Sequence, residues 1–306
     1  MSSALYVAPE VAAAIAENRP VVALESTVLA HGLPFPDNLE TARAMEAAVR
    51  AGGAVPATIG IVKGRLVAGM EARELELFAE EGAATRKVST RDFGAVLAAG
   101  GDGATTVAGT LVGARIAGIR VFATGGIGGV HRDGEATLDI SADLDALARN
   151  PVAVVSAGAK SILDLPRTLE VLESLGVPVV GIGTEDFPAF FTRSSGLKLV
   201  SSVADARQAA ALLRAHWELG LESGVLLANP IPAEAALSEP EVEAWIARVL
   251  GEARAEGIHG KTVTPWVLGR LHDLSGGRTL AANRSLLLHN AAAAAEIASA
   301  LAQLEA

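Results

Sequence analysis

Lys160 follows an apolar, β-branched run, Val152-Ala153-Val154-Val155-Ser156, and three small residues, Ala157-Gly158-Ala159. Such a run predicts a buried strand. The lysine then stands just past the strand end, with little bulk beside it to shield its amine. An exposed lysine has a pKa of about 10.4 and is no nucleophile at neutral pH. Burial disfavours the ammonium, and a neutral amine can attack a sugar carbon and form an imine. Only five of the 25 basic residues are lysines, so a lysine set among small residues suggests a need for a titratable amine. The competing reading is a lysine at a helix start, pointing to solvent.

Glu25 closes a second apolar run, Val21-Val22-Ala23-Leu24-Glu25. A carboxylate there is costly to bury unless paired or protonated. Burial would raise its pKa, which suits a general acid. A structural bond to the next loop is the alternative. Asp139 and Asp143 are four apart, on one face if their segment is helical. Carboxylate oxygens suit Mg²⁺ or Mn²⁺, and Asp133 lies near them. Equally, Ser141 or Asp143 could cap the following helix.

Two glycine-rich stretches remain. Gly125-Gly126-Ile127-Gly128-Gly129-Val130-His131 follows a strand, but it fits a dinucleotide fingerprint poorly because His131 stands where the last glycine belongs. A close-approach substrate loop fits better. Gly100 to Val107 opens a helix with glycines and hydroxyls, and a helix N-terminus can bind phosphate. Lys87 could add a positive charge there, or be one of a solvated basic run. The histidines show no metal-binding spacing. His216 reads as helical surface, and His259, His272 and His289 are unassigned.

These residues need a scaffold. Short apolar runs near 21–24, 58–62, 121–124, 152–156, 179–181 and 225–228 alternate with helical patterns. The alternation predicts an α/β fold: a largely parallel sheet flanked by helices, with a helical C-terminal part after residue 230. Lys63-Gly64-Arg65 predicts a hairpin turn, and Asp37 with Glu40 a capping box. In such sheets, ligands bind beyond the strands' carboxyl ends. That rule draws Glu25, Thr124, Lys160 and Asn229 to one edge. Without a linker or repeat, residues 1–306 read as one domain.

Composition narrows the partners. A net charge of −10 argues against a nucleic-acid polymer, though not against one small phosphorylated molecule. The absence of cysteine excludes disulfides and thiolate chemistry. No signal peptide and no apolar stretch of roughly 18 residues is evident, so a cytoplasmic protein without a membrane span is expected.

Taken in order, VALESTVLAHGLPFPDNLETA, PATIGIVKGRLVAGM, ATRKVSTRDF, GATTVAGT, FATGGIGGVHR, DISADL, VVSAGAKSILDL and VLLANPIP resemble the pseudouridine-5′-phosphate glycosidase family over nearly the whole chain. The resemblance implies reversible cleavage of the C–C glycosidic bond of pseudouridine 5′-phosphate to uracil and ribose 5-phosphate. It implies Lys160 as the imine-forming nucleophile and Glu25 as the proton donor. Asp139 matches a manganese ligand, with Mg²⁺ as an alternative ion. Lys87, Val107, Ser141, Ala142 and Asp143 match substrate contacts, while His131 and Asn283 lie in site-lining segments. The family is also homotrimeric. A Schiff-base sugar-phosphate aldolase and a non-catalytic phosphosugar-binding protein are the competing readings.

Overall fold

A computed structural model describes residues 4–132, 134–258 and 263–305. Asp133, His259 and Lys261 lie outside the described residues. The strands are β1 (Leu5–Val7), β2 (Val21–Glu25), β3 (Val55–Val62), β4 (Arg65–Ala68), β5 (Arg86–Val88), β6 (Gly103–Thr105), β7 (Val121–Ala123) and β8 (Val130–His131). They continue as β9 (Ala153–Ser156), β10 (Leu163–Asp164), β11 (Val179–Ile182), β12 (Ser201–Val203) and β13 (Val225–Ala228). Helices α1 (Pro9–Ala16), α2 (Asp37–Ala51), α3 (Ala72–Glu81), α4 (Phe93–Ala98), α5 (Val107–Ala117) and α6 (Gly134–Thr137) occupy the first half. The second half holds α7 (Ala142–Arg149), α8 (Leu165–Ser174), α9 (Ala206–Glu218), α10 (Glu239–Ala255), α11 (Val263–Ser275) and α12 (Arg278–Glu305).

The main path of the sheet runs β1-β4-β3-β2-β7-β9-β13-β11-β12. From β3 to β12 along that path every neighbour is parallel. Strands β2, β7, β9 and β13 are buried along their whole length. This is why they read as unbroken Val/Ala/Leu runs rather than alternating ones. The antiparallel part begins with the expected hairpin, where Val62 faces Arg65. Lys63 and Gly64 both take positive φ, 48° and 72°, as a two-residue turn between twisted strands requires.

Several expectations need correction. Asp37 is the first residue of α2 rather than its cap, and Pro36 before it makes no side-chain cap bond. Glu40 instead approaches Arg284 at 3.6 Å. A capping box does form one helix later, between Glu71 and Glu74. Asp139 lies in the non-helical link between α6 and α7, so it shares no helix face with Asp143. Helix α5 opens only after strand β6, with Thr106 as its cap.

The C-terminal helix α12 is 28 residues long and, by length and composition alone, passes as a membrane span, contrary to the expectation from the sequence. Its surroundings show a core helix. It packs on α2, α9, β2, β7 and β9, and it buries Asn283 and Asn290. The Asn290 amide donates to the Thr124 carbonyl at 2.8 Å, which anchors the helix beneath the carboxyl edge of the sheet.

Candidate active site

Parallel strands deliver chemistry to one edge because they all end there. Glu25 is the last residue of β2, Thr124 follows β7, and Lys160 stands four residues past β9. All three line a pocket of about 370 Å³, within the range of small-molecule sites. Lys87, Val107, Asp139, Ser141, Ala142 and Asp143 line it too, as do His131 and Asn283. The sequence-derived site residues therefore converge on one cavity. Asn229 does not join them. Its amide donates to Asn290 at 3.0 Å, so this strand end is used to tie down α12.

Lys160 does not begin a helix. Its Nζ donates to the Gly126 carbonyl at 2.7 Å and is partly buried. The glycine-rich loop after β7 and the lysine loop after β9 are stitched together. Ile127 N–H donates to the Gly158 carbonyl at 3.0 Å, and Lys160 N–H to the Ile127 carbonyl at 3.1 Å. The close approach requires glycine. A Cβ on Gly126 would meet the Phe190 ring at 2.6 Å, and one on Gly158, whose φ is +75°, would meet the Pro188 carbonyl at 2.1 Å. The glycines thus place a lysine amine rather than a dinucleotide.

Glu25 is 8% exposed, and the Thr124 hydroxyl donates to its Oε1. Burial raises its pKa; the Lys160 charge and the Thr124 bond oppose that rise. Asp143 is similarly buried, but its oxygens are served by the backbone. Oδ1 accepts from Ala108 N–H at 2.9 Å and Oδ2 from Gly128 N–H at 2.7 Å. The α5 N-terminus, expected to hold a phosphate, is therefore occupied in part by this chain's own carboxylate. Ser141 caps α7 by accepting from Asp143 N–H at 3.2 Å.

The Asp139 carboxylate lines the pocket with His131 Nε2 at 3.9 Å. Among the described residues no three His, Asp or Glu converge as a metal cage. One carboxylate with waters completing the shell fits Mn²⁺ or Mg²⁺, and the donor chemistry here suits either ion.

His31 is a pocket residue the sequence reading passed over. It sits on a single π-helical turn, Val28–Gly32, a geometry frequent at functional sites but without a sequence mark. Burial, assisted by the nearby Lys87 charge, lowers its pKa to about 4, against the opposing Thr85 backbone bond. It is therefore neutral near pH 7. His216, read as surface, contacts the Ser223 hydroxyl at 3.0 Å.

The fold and site together define an α/β enzyme whose pocket, at the carboxyl edge of its sheet, is lined by a lysine amine and a buried acid. Residues 10–300 match the family described as indigoidine synthase A like protein. A pseudouridine-5′-phosphate glycosidase of Deinococcus radiodurans is 54% identical over 99% of this chain and 97% of that one. One from Caldanaerobacter subterraneus subsp. tengcongensis is 52% identical over 99% of both. The chain belongs to this family, that of the pseudouridine-5′-phosphate glycosidases. Among solved structures, the prealnumycin C-glycosynthase AlnA in complex with ribulose 5-phosphate superposes with a TM-score of 0.92 at 46% identity, covering 100% of this chain and 99% of that one. An indigoidine synthase A-like protein from Thermotoga maritima gives 0.88 at 38% identity, covering 97% and 96%.

Proposed function

We propose that this chain is a pseudouridine-5′-phosphate glycosidase that reversibly splits the nucleotide into uracil and ribose 5-phosphate, with Lys160 as its imine-forming nucleophile. The observation that carries the reading is the convergence of the Lys160 amine, the buried Glu25 and the cation Lys87 in one pocket, in a chain that matches glycosidases along its length.

The chemistry suits these groups. The bond to be broken joins C1′ to a uracil carbon, so the paired-carboxylate route of ordinary glycosidases lacks a leaving atom that protonates readily. Lys160 Nζ, as the neutral amine, attacks C1′; the C1′–O4′ bond breaks, the ribose ring opens, and O4′ takes up the proton that Nζ loses. Glu25, whose burial favours its protonated form, delivers a proton to the uracil carbon. The Nζ lone pair forms C1′=N as the C–C bond breaks, and uracil leaves. Water then hydrolyses the imine to ribose 5-phosphate and free lysine. Asp139 would hold Mn²⁺, or Mg²⁺, mainly through waters, and the bound ion would supply positive charge toward the phosphate. Lys87, Val107, Ser141, Ala142 and Asp143 form the substrate wall in this reading.

Family resemblance also supports a single domain over 1–306, a homotrimer and a cytoplasmic setting; sedimentation and fractionation test the last two. The activity is tested by uracil release from pseudouridine 5′-phosphate with Mn²⁺, against uridine 5′-phosphate as control. Release from the C-linked nucleotide alone is expected. No release from folded, metal-supplied protein would return the aldolase and binding-protein readings.

A further inference from the structure

Behind one wall of the catalytic pocket lies a second chamber of about 480 Å³. His31, Gly32, Leu268 and Asn283 line both, so the two cavities share a partition built from the π-helical turn, α11 and α12. Apart from these shared residues, no functional assignment above falls on this outer chamber.

The two cavities differ in charge. The catalytic pocket carries the cations Lys87, Lys160 and Arg91. Among the described residues, the only arginine or lysine on the outer wall is Arg270. Glu252 holds it by two bonds, at 2.7 and 3.2 Å, and Asp273 adds a carboxylate beside it. A phosphate would meet a spent cation and a negative charge there. A neutral guest meets no such barrier.

The outer wall also offers flat apolar surface and hydrogen-bonding groups. Trp266, which is part-exposed, lines it, and an aromatic face suits a planar ring. His31, His272, Thr279 and Asn283 line it too and carry hydrogen-bonding side chains. A wall with a part-exposed tryptophan, polar side chains and no available cation suits a neutral, planar, hydrogen-bonding heterocycle.

Resting on the glycosidase reading, we propose that the outer chamber is a second base site, which holds free uracil as it passes between solvent and the catalytic pocket. The phosphosugar stays in the inner pocket with the lysines. The partition residues His31 and Asn283 then face sugar chemistry on one side and the free base on the other.

Gly269 makes this testable. It lines the outer chamber but not the catalytic pocket, and a Cβ built on it meets nothing within 4 Å. A side chain there enters open space, and replacing a helix-interior glycine favours folding. Uracil and ribose 5-phosphate are titrated calorimetrically into the parent, Gly269→Phe and Gly269→Leu, with Gly251→Phe on α10 as a control outside the chamber. The expected result is at least a tenfold loss of uracil affinity in both Gly269 variants, with ribose 5-phosphate affinity retained and the control unchanged. Unchanged uracil affinity, or equal loss of both ligands, would overturn the proposal. Uracil release from pseudouridine 5′-phosphate by the parent is measured alongside. If release occurs while uracil affinity ignores Gly269, the chamber proposal fails and the glycosidase reading stands. If uracil affinity depends on Gly269 but nothing is released, the base site stands and the glycosidase reading fails.

Discussion

At the end of β2, Glu25 receives one hydroxyl hydrogen bond, and burial raises its pKa despite the nearby Lys160 and Lys87 charges. At the start of α7, Asp143, about as deeply buried, receives two backbone N–H groups. Both line the same pocket, yet the surroundings assign them different work. Two fixed donors satisfy a carboxylate and make it part of the frame. A carboxyl left mostly to desolvation holds its proton more tightly and can give it up during chemistry. Asp143 fastens the α5 N-terminus to the Gly128 loop, and Glu25 is the group proposed for proton transfer.

The comparison breaks most visibly in activity. Glu25→Gln retains the side-chain shape but cannot donate the proton, so uracil release should fall by about 10²–10⁴-fold, the usual reach of general acid–base catalysis. Steady-state assays at saturating substrate check this, and near-parental turnover would reverse the assignment. Asp143→Ala strands the buried Ala108 N–H and the part-buried Gly128 N–H. A cost of about 3–5 kcal/mol is expected from two hydrogen bonds to a charged group, read by urea unfolding.

A finer contrast lies in pH. Burial raises the Glu25 pKa above its unfolded value, so the folded state binds that proton more tightly than the unfolded chain. Stability from this group is full below the unfolded value, about 4.3, and is lost as pH rises through the folded one. Glu25→Gln should therefore gain melting temperature over the parent as pH rises from 4 toward 8. His31 has the opposite sign. Its pKa is lowered to about 4, so its contribution is full above the ordinary histidine value and is lost as pH falls from about 6.5 through 4. His31→Gln should flatten the parent's loss of stability in that window. The smallest effect belongs to Asp37→Ala. Without a cap bond to lose, it should shift stability by less than about 0.5 kcal/mol.

Much of this site was legible because its residues end buried parallel strands. Glu25 and Lys160 each follow an apolar run, and the rule that ligands bind at the strands' carboxyl ends joins them without coordinates. Ser141 was legible as a cap because its role is local. The Asp37 cap was misread, and the condition for Asp139 to share a face with Asp143 was not met, because a sequence pattern fixes neither the residue at which α2 starts nor a short non-helical link. His31 escaped notice because a five-residue π turn has no periodic pattern. Strands β8 and β10, two residues each, are likewise too short to alternate. The split between Glu25 and Asp143 was out of reach, since it depends on backbone donors brought from residues 108 and 128.

The central claim is a covalent bond to one amine, and reductive trapping tests it most directly. The enzyme is incubated with pseudouridine 5′-phosphate and Mn²⁺, treated with borohydride, digested and mapped by mass spectrometry. The account predicts a reduced ribose 5-phosphate adduct on the Lys160 peptide, absent from Lys160→Ala. Uracil release without any lysine adduct, or parental release by Lys160→Ala, would contradict it.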